Sequence, residues 1–86
     1  MEAIRWNVTK SARLKRIRGV SFEEIVKAKF LDVLQHPSRN NQGILIYEHN
    51  GYVWAAPFVA DAEGIFLKTL YPCRKYKKIY KKEVII

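Results

Sequence analysis

The period of the apolar positions changes several times along this chain, and each change marks an element. Ile4 and Trp6 alternate around Arg5, which predicts a short edge strand. Asn7 or Thr9 can cap a helix, and Val8, Ala12, Leu14 and Ile17 then recur at helical spacing as a thin apolar stripe. That helix runs to about Arg18 and stops at Gly19, a residue suited to the position just past a helix end. A second helix start follows at once. Ser21 is its N-cap and Glu24, three residues on, closes a capping box, while Val20 and Ile25 can staple across it. Phe22, Ile25, Val26 and Phe30 are expected to form the buried face of this second helix.

His36 to Gly43 is the one long polar loop, punctuated by Pro37 and Gly43. Beyond it, Ile44–His49 and Tyr52–Val59 flank Asn50-Gly51, which predicts a hairpin with a type I′ turn. A two-residue loop pairs His49 with Tyr52, Tyr47 with Trp54 and Leu45 with Ala56 on one face. Glu48 with Val53 and Ile46 with Ala55 fall on the other. Pro57 cannot donate to a ladder, so a bulge or an edge is expected there. Asp61–Gly64 is a second turn, and Ile65 to Tyr71 a third long strand that Pro72 ends. A short cationic helix with a tyrosine face is expected after it. The sum is one α+β domain over residues 1–86: an edge strand, two helices, a three-stranded antiparallel meander and a short C-terminal helix.

Composition supports a folded chain, with 49% hydrophobic and 13% aromatic residues in 86. Charge changes the picture more. The net charge is +8, divided as +5 over residues 1–18, −3 over 19–67 and +6 over 68–86. Basic charge thus gathers at both ends of the chain, and if those ends meet in space they form one basic face. Between Lys68 and Lys82 the Lys and Arg residues are interleaved with Tyr71, Tyr76 and Tyr80 and no acid intervenes. Cations with aromatics suit a polyanion that carries flat bases, which is nucleic acid. A solvated helix whose Tyr76, Ile79 and Tyr80 face the core would carry the same pattern. Neither basic segment has apolar residues to spare for a membrane-binding face. The single cysteine, Cys73, excludes an internal disulfide and fits a reducing compartment. No secretory leader pattern or long apolar run is present, so a soluble cytoplasmic protein is expected.

Candidate chemistry is narrowed by what the chain lacks. Two histidines and one cysteine, widely spaced, make no metal site, and no glycine-rich phosphate loop or Ser–His–acid arrangement stands out. No metal or cofactor is expected. Adjacent Glu23 and Glu24 do not converge on a helix, so they suit capping better than a catalytic carboxylate pair. One reaction needs no metal: attack of an RNA 2′-OH on its own neighbouring phosphate, with the protein aligning groups, stabilising charge and moving protons. Arg74 is the candidate for charge stabilisation, aided by Lys68 and Lys75, because Pro72 would fix the first residues of the basic segment on a rigid strand end. His49 beside the hairpin turn and His36 in the loop are the candidate proton carriers. Arg18, Arg39, Tyr76, Lys77, Lys78 and Tyr80 are candidate RNA contacts.

The order of these features resembles a known family. Trp6-Asn7, the basic first helix, Arg18-Gly19-Val20-Ser21-Phe22-Glu23-Glu24, the meander, and Leu70-Tyr71-Pro72-Cys73-Arg74-Lys75 are similar to the BrnT family of bacterial toxins, within the RelE/ParE-like group. The resemblance covers nearly the whole chain. It implies a RelE-like α+β fold, endoribonuclease activity that arrests translation and growth, and a cognate DNA-binding antitoxin as partner. Arg74 and Lys75 match the family's basic pair after the last strand. The family usually has a serine at the position of Pro72 and a basic residue at that of Thr69, to which Lys68 is adjacent. The other class open to this sequence is a non-catalytic nucleic-acid-binding or interaction module on the same fold.

Overall fold

The computed structural model describes residues 3–73. Its elements in chain order are β1 (Ala3–Arg5), α1 (Val8–Arg18), α2 (Phe22–Ile25), β2 (Lys29–Gln35), β3 (Gln42–His49), β4 (Tyr52–Asp61), β5 (Gly64–Leu67) and β6 (Tyr71–Pro72). The strands form one mixed sheet in the order β1-β5-β4-β3-β2, with β6 also pairing β4. All pairs are antiparallel except β1 with β5, which joins the start of the chain to its later half in parallel. The architecture is α+β.

Local chemistry explains both helix starts. The Asn7 side chain accepts from Lys10 N–H at 2.9 Å, and the chain turns out of α1 at Gly19 with φ 82°. At α2, Ser21 Oγ accepts from Glu24 N–H at 3.2 Å, and Glu24 Oε1 accepts from Ser21 N–H at 3.1 Å, so the capping box is closed as expected. Val20 and Ile25 both lie in the main core. Two expectations fail here. α1 buries Ser11 and Leu14, whereas Val8 is 71% and Ile17 62% exposed, and Ala12 is also exposed. Polar ties hold the helix in place of an apolar stripe. Ser11 Oγ donates to Glu23 and accepts from Phe22 N–H, Trp6 Nε1 donates to the other Glu23 oxygen, and Lys15 bridges to Glu24 at 2.9 Å. An Arg18 nitrogen donates to the Leu70 carbonyl.

The second correction is larger. α2 has four residues, and Lys29–Gln35 is a strand instead of its continuation, so the antiparallel part of the sheet runs over four successive strands, β2 to β5. The register of β2 shifts between Phe30 and Asp32. That bulge places Phe30 opposite Tyr47 and Val33 opposite Leu45 on one face. A spacing of three, which in an unbroken chain marks a helix, is here produced by a strand with one extra residue. Phe30 rests edge-on against Tyr47 with ring centroids 5.6 Å apart, but it is 53% exposed, not core.

The β3–β4 hairpin has the expected register throughout, from His49↔Tyr52 to Leu45↔Ala56. Asn50 (φ 52°) and Gly51 (φ 79°) supply the two left-handed residues of its turn. The expected third strand divides in two. Lys68 N–H donates to the Pro57 carbonyl at 2.8 Å, but Pro57 has no N–H to return. Pairing then slips: Phe58 faces Leu67, yet Ala55 faces Tyr71, which leaves one residue more on the later strand. Of the bulge or edge expected at Pro57, the structure has an irregularity opposite it, with the extra residue on the later strand, and Leu70 there is fully buried in the core.

The main core lies between the helices and one sheet face, where Leu14, Phe22 and Ile25 meet Leu45, Tyr47, Trp54, Ala56, Phe58, Leu67 and Leu70. A smaller cluster of Ile46, Val53 and Ala55 occupies the other face. The expected C-terminal helix lies outside the described residues. Among them, no helix is long and apolar enough to cross a membrane.

The carboxylates that tie the helices make stability depend on acid. Lys15 and the Ser21 N–H hold Glu24 at about 2, well below its ordinary 4.5. The Ser11 hydroxyl holds Glu23 down and the Arg5 guanidinium holds Asp61 down. A depressed folded-state value means that the stabilisation is whole above the unfolded value and fades as pH falls toward the folded one. The melting temperature is therefore expected to decline from about pH 4.5 toward pH 2. Glu24→Gln keeps the capping-box geometry and removes the charge, so it should flatten part of that decline. An identical pH profile for the variant would show that the Lys15–Glu24 pair contributes nothing.

Candidate nucleic-acid interface

On α1, Lys10, Arg13 and Arg16 recur every third residue, which lines them along one face. β1 carries the chain along β5 as far as Arg5 opposite Phe66, and α1 begins just beyond. The cationic face of α1 therefore stands beside the point where β5 ends. Lys10, Arg13 and Arg16 line a groove of about 640 Å³ together with Thr9, Phe66 and Lys68. No carboxylate lines this groove among the described residues. Arg5 is nearby but already engaged. Its guanidinium bonds Asp61 at 2.6 Å and Glu63 at 3.4 Å, and lies 5.8 Å from the centre of the Phe66 ring. Lys15 is likewise neutralised by Glu24. The groove thus collects cations with no counter-charge there among the described residues, around one aromatic ring, an arrangement suited to a polyphosphate with bases.

Lys68 also lines a second hollow of about 440 Å³, whose walls include Leu34, His36, Gln42, Ile44 and Pro57. Two of the residues singled out in the sequence, Lys68 and His36, are thereby brought to one cavity. His36 is turned toward its own loop. Its Nδ1 accepts from Ser38 N–H at 3.1 Å and from Arg39 N–H at 3.2 Å. The neutral ring then carries its proton on Nε2, so the acceptor nitrogen that a general base needs is occupied. Arg39 sits in the same exposed loop. His49 lies at the other end of β3, seven residues from Gln42, or about 24 Å along a strand. It cannot serve the Lys68 cavity, and its Nε2 is 3.3 Å from the Asn50 amide.

Arg18 is placed apart from the groove. With one nitrogen given to Leu70, it lines a third hollow, of about 460 Å³, with Tyr52, Trp54 and Pro72. Arg74, Lys75, Tyr76, Lys77, Lys78 and Tyr80 lie outside the described residues. No group of His, Cys, Asp or Glu among the described residues is arranged to hold a metal ion. The sequence does not single out Lys10, Arg13, Arg16 and Phe66 as a unit, because their convergence depends on the pairing of β1 with β5. The signal available was their spacing of three on a helix that lacks acids. Compared with family models, with curated proteins and with solved structures, this chain matches none.

Proposed function

We propose that this chain is the toxin of a bacterial toxin–antitoxin pair, an endoribonuclease that acts without a metal. The observation that carries the proposal is the gathering of Lys10, Arg13, Arg16 and Lys68 around Phe66 in one groove that no carboxylate lines among the described residues. The β-α-α-meander order agrees with the RelE-like architecture that the resemblance to BrnT toxins implies. In the reaction, the RNA 2′-oxygen attacks the adjacent phosphorus as its proton passes to solvent water. The P–O5′ bond breaks, the leaving 5′-oxygen takes a proton from water, and a 2′,3′-cyclic phosphate remains. Negative charge builds on the phosphoryl oxygens as the bond forms, and its stabilisation is assigned to Lys68, supported by that residue's position on both cavities. Arg74 and Lys75 are assigned the same role from their positions after Pro72. The α1 cations hold flanking phosphates. A cognate antitoxin would mask this basic face with an acidic or amphipathic segment.

A second reading, a binding module without catalysis, is favoured by one observation: His36 has its acceptor nitrogen occupied and His49 is remote. One assay decides between them. The pure chain is incubated with single-stranded RNA in EDTA. Cyclic-phosphate or 3′-phosphate ends are expected, and they should appear at a rate that a metal chelator leaves unchanged. RNA that is shifted on a gel but intact after prolonged incubation would establish the binding module and remove the enzyme.

A further inference from the structure

We infer that the hollow behind Lys68 is a nucleobase slot, and that the substrate is single-stranded RNA with one base turned out of the stack. This inference rests on reading the α1 groove as the site of RNA phosphates. Register across the sheet builds the slot. Leu34, Ile44, Pro57 and Lys68 stand abreast in one row, through the pairs Leu34↔Ile44 and Ile44↔Pro57 and the Lys68–Pro57 bond. The next row on the same face is His36, Gln42, Val59, Phe66 and Arg5, through His36–Gln42, Gln42↔Val59, Val59↔Phe66 and Arg5↔Phe66. Leu34, Ile44, Pro57 and Val59 supply apolar walls. Gln35, His36 and Gln42 supply polar atoms at one end, and Lys68 a cation at the other.

That distribution matches a base, which is apolar on its two faces and polar along its edge. The half-buried Gln42 carboxamide offers a donor and an acceptor together, and Nε2–H is the donor left to the His36 ring. A volume of about 440 Å³ falls within the range of sites that enclose small organic groups. The decisive feature is Lys68, which borders both this hollow and the basic groove. A phosphate held at Lys68 is one sugar away from its own base, so the two cavities are within reach of one nucleotide. A base inside a duplex is paired and stacked and cannot enter, which restricts the ligand to a single strand or an extruded base. His36 accordingly reads a base edge instead of carrying a proton.

The test uses short 2′-O-methyl oligonucleotides of mixed sequence, which bind but cannot be cleaved by 2′-OH attack. One abasic position is walked along the strand, and dissociation constants are measured with the full chain. At one position, loss of the base is expected to weaken binding at least about tenfold, because enclosing a base contributes that much. Gln42→Ala should abolish the preference for base identity at that same position. Equal binding of abasic and base-bearing strands at every position overturns the slot and leaves the phosphate groove standing. Failure of all strands to bind overturns both.

Discussion

Lys68→Ala is expected to lower the rate of RNA cleavage about 100- to 1,000-fold, the usual loss when one donor to a developing phosphoryl charge is removed. The expectation comes from where Lys68 sits. It is the residue at which the basic groove and the second hollow meet, directly beyond β5. Its backbone is fixed by the N–H bond to Pro57, and an alanine keeps that bond. Its side chain is exposed, so the fold should be little affected, within about 0.5 kcal/mol. The α1 cations provide the contrast. Arg13→Gln and Arg16→Gln should each weaken RNA binding and reduce the salt dependence of affinity by about one phosphate contact, with the rate at saturating RNA nearly unchanged. Lys68→Arg keeps the charge and should restore most of the rate. If Lys68→Ala cleaves as fast as the parent chain at saturating RNA, the charge stabiliser is elsewhere, and Arg74 and Lys75 become the residues to test.

Some of this fold was legible residue by residue. The β3–β4 register follows from the two-residue Asn50-Gly51 turn, which fixes His49 opposite Tyr52 and so every later pair. The capping box at Ser21 and the disturbance at Pro57 are equally local, each set by one side chain's hydrogen-bonding capacity. What failed was local pattern with a non-local cause. Phe30 falls at helical spacing after Phe22, Ile25 and Val26, but a bulge and the pairing with β3 decide its state. Val8 and Ile17 look like a stripe, but α1 is positioned by Ser11, Lys15 and Arg18 hydrogen bonds. The groove was half legible for the same reason. Lys68 stands out in sequence, whereas its union with Lys10, Arg13 and Arg16 depends on β1 pairing in parallel with β5, more than 60 residues away. No short-range periodicity encodes that contact. Gathering the basic charge at both chain ends hinted at it, although the end that proved to meet α1 among the described residues is Lys68 itself.

Because the groove depends on the β1–β5 pairing, Gly64→Ala is expected to be the most damaging small substitution for the fold. Gly64 faces Ala3 across the parallel pair, with φ at 128°, a conformation that side chains strongly resist. A Cβ there would lie 2.3 Å from the Ala3 carbonyl oxygen and 2.9 Å from its nitrogen. Both atoms are backbone, so relief requires β1 to move. Backbone strain alone costs about 1–3 kcal/mol, which for a domain of this size lowers the melting temperature by about 4–8 °C per kcal/mol. Displacing β1 adds to that cost, since Arg5 would leave Asp61, Glu63 and the Phe66 ring. Gly19→Ala separates the two effects. Gly19 also has positive φ, at 82°, but an added Cβ meets nothing within 4 Å, so only the conformational cost applies. Gly64→Ala should therefore melt well below Gly19→Ala. It should also bind RNA more weakly at a temperature where both remain folded, because the edge of the basic groove shifts with β1. Equal melting temperatures for the two variants would mean that β1 does not hold the β5 edge, and would detach the α1 cations from Lys68.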